Sequence, residues 1–169
     1  MSVEIKGYTP VLTRRFEEEK ARIQALLPKN VIIEHVGSSA VGIGGKNIID
    51  MLIGVRDAGE MPVIRDILVK NGYFEGRDSH ADRVFLASSE SETGEGDIHI
   101  HICPVGTSTY KNFIVLRDYL ANNPAKASEY LEKKHEFARQ AGYDRQKYKA
   151  LKSAYVSRLL EEAKAEASA

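Results

Sequence analysis

Asp50 stands inside the apolar run Ile48-Ile49-Asp50-Met51-Leu52-Ile53. An ionised carboxylate there is costly unless a cation or hydrogen-bond donors face it. Further along, His99 and His101 alternate with isoleucine in Asp97-Ile98-His99-Ile100-His101-Ile102-Cys103. Alternate side chains of a strand share a face. Asp97, His99, His101 and Cys103 therefore project together, while Ile98, Ile100 and Ile102 enter the core. Two imidazoles at that spacing suit one cation such as zinc, iron or manganese. If the Asp50 strand is a neighbour, a carboxylate and two imidazoles converge, and Asp50, His99 and His101 become candidate metal ligands and catalytic groups. The alternative satisfies the histidines with backbone carbonyls or carboxylates, and Asp50 with a turn or with Arg83.

A second cluster precedes Asp50. Gly37-Ser38-Ser39 follows a β-branched segment and offers backbone N–H groups and two hydroxyls where a helix could begin, an arrangement that holds phosphates. Gly42, Gly44 and Gly45 permit positive φ angles and close backbone approach, and Lys46 adds a positive charge. It is not a Walker A loop, because no Gly-Lys-Ser/Thr closes it and a strand follows where that motif needs a helix. Gly37, Ser38, Ser39 and Lys46 are candidate phosphate ligands. His35, beside Glu34 and just before the turn, reads as support for it; His80 and His135 read as surface residues.

The elements that carry these residues follow from pattern and punctuation. Thr9-Pro10 opens a helix, with Thr as N-cap and Pro in the first turn, and Leu12, Phe16, Ile23 and Leu27 line its buried face until Pro28 ends it. Residues 31–36 predict a strand, and 47–55 a central one apolar on both faces apart from Asp50. A helix over 62–71 turns Ile64, Ile67 and Leu68 inward and stops at Gly72. Residues 82–89 and 97–105 predict two antiparallel strands joined by an exposed acidic loop at 90–96. Three helices follow, over 110–122, 124–141 and roughly 144–165, with Asn123-Pro124 and Asp144 as caps, Gly142 as a stop and a fraying tail. The expected organisation is one domain, an α/β core over 1–106 and a helical extension over 107–169.

Composition limits the function classes. The 169 residues carry 24 Lys plus Arg against 24 Asp plus Glu, so no global field draws the protein to nucleic acid or a membrane. One cysteine, Cys103, excludes an internal disulfide and fits a reducing cytoplasm. The N-terminal MSVEIKGYTP lacks a signal-peptide pattern, and no apolar stretch approaches the roughly 20 residues that span a bilayer. A soluble, cytoplasmic protein is expected.

The segment EHVGSSAVGIGGKNIIDMLIGV resembles the signature of GrpB-family proteins, where Ile-Glu-His-Val-Gly-Ser-Thr leads to Lys-Pro-Ile-Ile-Asp. RVFL (83–86), HIHI (99–102), LRDYLANNP (116–124) and YKALKSAYV (148–156) resemble later landmarks of that family, in order along nearly the whole chain. Ser39 stands where the family has Thr, and Gly42 and Asn47 where it has Pro. The resemblance implies a nucleotidyltransferase-like fold of α/β (α+β) class, a mixed sheet with flanking helices and a C-terminal helical segment. In that superfamily a Gly-Ser turn holds nucleotide phosphates and two or three carboxylates hold magnesium for phosphoryl-type transfer. Gly37, Ser38 and Asp50 fit the start of that pattern, but the second carboxylate falls on Leu52 and is missing.

Further cations gain meaning from the resemblance. Arg117 interrupts an apolar face made by Phe113, Leu116 and Leu120; Lys134 and Lys152 match basic family positions; Arg83 opens the strand before the acidic loop. Four cations around a pocket suit a polyphosphate. The alternative pairs Arg117 with Asp118 or another acid and leaves the lysines solvated. Three functions compete: nucleotidyl or phosphoryl transfer using magnesium, manganese or zinc at Asp50, His99 and His101; non-catalytic binding of a nucleotide or phosphorylated small molecule; and a protein-interaction domain. The third draws on the family's occurrence behind dephospho-CoA kinase, which implies a folding-assisting role. Nucleic acid and membrane are not expected partners.

Overall fold

The computed structural model describes residues 2–90 and 97–169. The expected acidic loop lies, beyond Glu90, outside the described residues. Helix α1 (Val11–Leu26) starts as its sequence predicts: the Thr9 hydroxyl accepts from the Val11 N–H at 3.4 Å, and Pro10 is already helical at φ −59° and ψ −16°. A mixed sheet follows in the order β1-β2-β5-β4-β3, built from β1 (Ile32–Val36), β2 (Ile49–Val55), β3 (Phe74–Glu75), β4 (Val84–Ala87) and β5 (Ile98–Pro104). Strands β2 and β5 run parallel in its middle, while β1 and β4 flank them antiparallel. The short edge strand β3, exposed at both residues, carries no sequence signal.

One face of the sheet is the main core. Ile49, Met51 and Ile53 of β2 and Ile98, Ile100 and Ile102 of β5 pack there against α1 and against α2 (Glu60–Lys70). The other face holds Asp50, Leu52, His99, His101 and Cys103, as strand alternation predicts. Its upper part lies under α3 (Ser108–Asn122), where Val36, Leu52 and Cys103 meet Tyr110, Phe113 and Ile114.

Helices α4 (Pro124–Gln140) and α5 (Arg145–Ala167) form a further cluster around Tyr130, Phe137, Tyr148, Tyr155 and Leu159, into which Val3 and Ile43 insert. Two expectations are corrected. Asn123 does not cap α4 with its side chain; its amide instead donates to the Tyr119 carbonyl at 2.7 Å and closes α3. Helix α5 also runs through Ala167 instead of fraying, because Ala163 is buried and its Ala, Lys and Glu residues favour the helix. Asp144 does cap α5, accepting from the Lys147 N–H at 2.9 Å. The N-terminal segment, which shows no pattern in sequence, pairs Lys6 with Gly45 through reciprocal bonds of 2.7 and 2.9 Å. A Cβ on Gly44 would meet the Lys6 carbonyl at 2.5 Å, so glycine is needed for that approach. Among the described residues no helix is long and apolar enough to cross a membrane.

Candidate functional site

The parallel register aligns Asp50 with His99 and Leu52 with His101. Asp50 Oδ1 lies 3.0 Å from His101 Nε2 and 3.9 Å from His99 Nδ1. His101 is 7% exposed and boxed by Phe85 and Phe113. Its Nδ1 faces Arg83 Nη1 at 3.5 Å, and Arg83 Nη2 donates to the Asp78 carbonyl at 2.9 Å. A guanidinium only donates, so His101 Nδ1 accepts and the Nε2 proton points at Asp50. Burial alone would raise the Asp50 carboxyl. The His101 hydrogen bond and the fields of His101, His99 and Lys152 outweigh it and hold the group at about 2. The carboxylate in the apolar run is thus ionised and accommodated. Gly37 closes over it with φ +77°, and a Cβ there would lie 2.6 Å from Asp50 Oδ2.

After Gly37 the chain makes a short 3-10 turn over Ser38–Val41. The two serines separate. Ser39 is 3% exposed and its hydroxyl meets His35 Nε2 at 2.8 Å, so it braces the turn from within. His35 stacks on Phe16 at 4.2 Å, and burial, aided by Arg117 and opposed by Asp50, lowers its imidazole to about 4. Ser38 faces Lys134, whose ammonium donates to the Ser38 hydroxyl and, at 3.1 Å, to the Gly44 carbonyl. The same ammonium stands 4.6 Å from the Tyr130 ring centre.

Lys134 is 2% exposed, which excludes the alternative of a solvated lysine at this position. Burial pushes its ammonium well below the ordinary lysine range; Lys152 and Lys46 push the same way and Asp50 opposes them. The hydrogen-bond partners named above are neutral oxygens, so its charge is met only at longer range.

These groups enclose a cavity of about 120 Å³ lined by Ser38, Gly45, Asp50, His99, Lys134 and Lys152, among others. It adjoins a cleft of about 1140 Å³, and Lys46, His99, Tyr148 and Lys152 line both. Arg83 lines the cleft but not the small cavity. Arg117 lines neither. It donates to Glu34 at 2.7 Å, to the His35 carbonyl at 3.2 Å and to Asp118 at 3.0 Å, which is the ion-paired alternative. His80 and His135 are exposed.

Asn47 escaped notice as a pocket residue. It lines the cavity at 6% exposure, and its buried Oδ1 has no hydrogen-bond partner among the described residues. Its φ is +59° and that of Gly42 is +72°. Proline is locked near −65°. The two positions where the family resemblance expects proline thus follow a backbone path closed to proline. Asn and Gly, both tolerant of positive φ, were the available signal.

The donor set does not fit a magnesium pair. Magnesium needs oxygen ligands in near-octahedral geometry, and Asp50 is the one carboxylate among the described residues lining the cavity. Leu52, at the second carboxylate position, is 0% exposed beneath α3. Asp97 lines the large cleft instead. Asp50, His99 and His101 do come together, but a metal-bound imidazole donates its second N–H to an acceptor, whereas His101 faces the guanidinium of Arg83. Among the described residues no set of three His, Cys, Asp or Glu side chains is arranged to hold a metal ion.

Comparison with known proteins agrees with this architecture. The family model described as GrpB protein matches residues 2–162. A UPF0157 protein of Deinococcus radiodurans is 33% identical over 151 residues, covering 88% of this chain and 76% of that protein. The crystal structure of the conserved protein GrpB from Enterococcus faecalis superposes with a TM-score of 0.82 at 26% identity, over 95% of this chain and 96% of that one. The Cid1 poly(U) polymerase, solved with MgGTP bound, shares the fold with a TM-score of 0.50 at 15% identity, over 79% of this chain and 45% of its own.

Proposed function

This chain belongs to the GrpB family, and we propose that it uses a nucleotidyltransferase-like fold to bind the polyphosphate of a nucleotide in the cavity at Ser38. One observation carries the reading: Lys134, Lys152 and Lys46 line a small cavity in which Asp50 is the one carboxylate among the described lining residues, and Asp50 already accepts a hydrogen bond from His101. A lysine buried against neutral oxygens, as Lys134 is, is costly alone and favourable beside an anion. The adjoining cleft has room for the nucleoside and leaves His99 between the two spaces.

Thermal denaturation with ATP, GTP, CTP, UTP and inorganic tripolyphosphate tests this. A ligand at 100 times its Kd stabilises by about 2.7 kcal/mol, a rise of roughly 5–10 °C in Tm for a chain of this size. Lys134→Met and Ser38→Ala should each abolish most of that rise while melting as cooperatively as the parent. No shift with any of these ligands would overturn the reading.

Nucleotidyl or phosphoryl transfer is the second reading. It is favoured by the position of His99, whose imidazole lines both spaces and stands 3.9 Å from Asp50, where a general base could serve an acceptor in the cleft. Release of pyrophosphate or phosphate from a bound nucleotide, lost in His99→Gln, would support it over binding alone.

A further inference from the structure

We infer that this pocket takes its polyphosphate free of any divalent cation, with Lys46, Lys134 and Lys152 supplying the counter-charge that magnesium supplies elsewhere on this fold. The inference rests on the reading of the cavity as a polyphosphate site and specifies the ionic form of the ligand.

Three features of the geometry carry it. First, the lysines come from three separate elements, the loop before β2, α4 and α5, and all line a cavity of about 120 Å³. A fully ionised polyphosphate brings more negative charge to them than its magnesium complex does and so favours their charged forms, whereas a divalent cation seated beside them is repelled by each charged ammonium. Secondly, few oxygen ligands that would recruit magnesium are present among the described residues lining the cavity. Asp50 Oδ1 is engaged by His101 at 3.0 Å, Oδ2 lies against Gly37, and the Leu52 position is sealed under α3. Thirdly, Lys134 is held at 2% exposure with its ammonium between the Ser38 hydroxyl and the Gly44 carbonyl. Those are neutral acceptors that an arriving phosphate oxygen can displace or join. Magnesium prefers to keep several of its waters, and so small a cavity has little room for a hydrated ion besides phosphate.

The test is isothermal titration of inorganic tripolyphosphate and of ATP into the full chain, in EDTA and again in excess Mg²⁺. The expected result is binding in EDTA at least tenfold tighter than in Mg²⁺. Lys152→Met and Lys134→Met should each weaken the EDTA affinity and shrink the difference between the two buffers. Lys152 is partly exposed, so its variant keeps the test alive if the buried Lys134 variant fails to fold. Equal affinities, or binding that needs Mg²⁺ or Mn²⁺, would overturn the inference and leave the polyphosphate reading standing. Absence of binding in both buffers would overturn both.

Discussion

Replacing Leu52 with aspartate places a second carboxylate two residues after Asp50, the spacing at which the sequence resemblance leads one to look for a metal pair. The structure says that this position cannot serve. Leu52 is 0% exposed and is packed among Val36, Cys103, Tyr110, Phe113 and Ile114. Truncating such a leucine costs about 2–5 kcal/mol. Burying a carboxyl among apolar neighbours adds a further penalty of roughly 2 kcal/mol or more. The sum, about 5 kcal/mol, is comparable to the whole stability of an ordinary domain, roughly 5–15 kcal/mol. Urea unfolding, followed by circular dichroism, measures it. With a slope of roughly 2 kcal/mol per molar, the midpoint should fall by about 2.5 M, against a smaller fall for Leu52→Ala. Because burial favours the neutral carboxyl, Leu52→Asp should recover part of its deficit as the pH is lowered. A variant within about 1 kcal/mol of the parent that also gains stabilisation by Mg²⁺ would refute the reasoning. It would mean that α3 yields and that this fold can host the pair.

Other consequences follow from the loop and from its buried histidine. Asn47→Pro, which writes in the residue the family resemblance expects, should lower stability by about 1–3 kcal/mol because proline cannot adopt φ +59°. Asn47→Gly should stay within about 1 kcal/mol of the parent; equal melting temperatures for the Pro and Gly variants would contradict the backbone argument. His35, lowered from an ordinary 6.5 to about 4 by burial, stays neutral in the folded protein while the unfolded chain takes up a proton. Stability should therefore fall as the pH drops from 6.5 towards 4, by about 2 kcal/mol once partial exposure is allowed for. Asp50, held at about 2, contributes stability that is lost only below about 3.8, so the two windows separate. Unfolding curves between pH 7 and 4.5 should be flatter for His35→Gln, which retains a hydrogen-bonding group beside Ser39; an unchanged slope would discount His35.

Much of this site was legible in one dimension. The alternation of histidine and isoleucine placed His99 and His101 on one face before any partner was known, and the apolar run around Asp50 marked a central strand. Both hold in the parallel pairing of β2 with β5. The Gly37-Ser38 turn and the Thr9, Pro124 and Asp144 helix starts were equally local readings. Less legible were residues whose role depends on what lies across from them. Arg117 and Lys134 are both cations on patterned helices. One is drawn to Glu34 at 2.7 Å, and the other is buried against Ser38. Ser38 and Ser39 are adjacent and alike in sequence, yet the hydroxyl of one accepts from Lys134 and that of the other meets His35.

The sequence by itself determined which side chains share a face, roughly where all the elements but β3 lie, and that Asp50 needed a partner. These properties depend on neighbours two to four residues away, where backbone geometry is periodic and the side-chain pattern reports it directly. Only the tertiary structure decided that His101 and His99 are that partner, that Leu52 is sealed under α3, and that Lys134 is buried beside the Ser38 turn. Each of those depends on packing elements far apart in the chain, and the burial, charge and shape that meet there exist only once those elements are assembled.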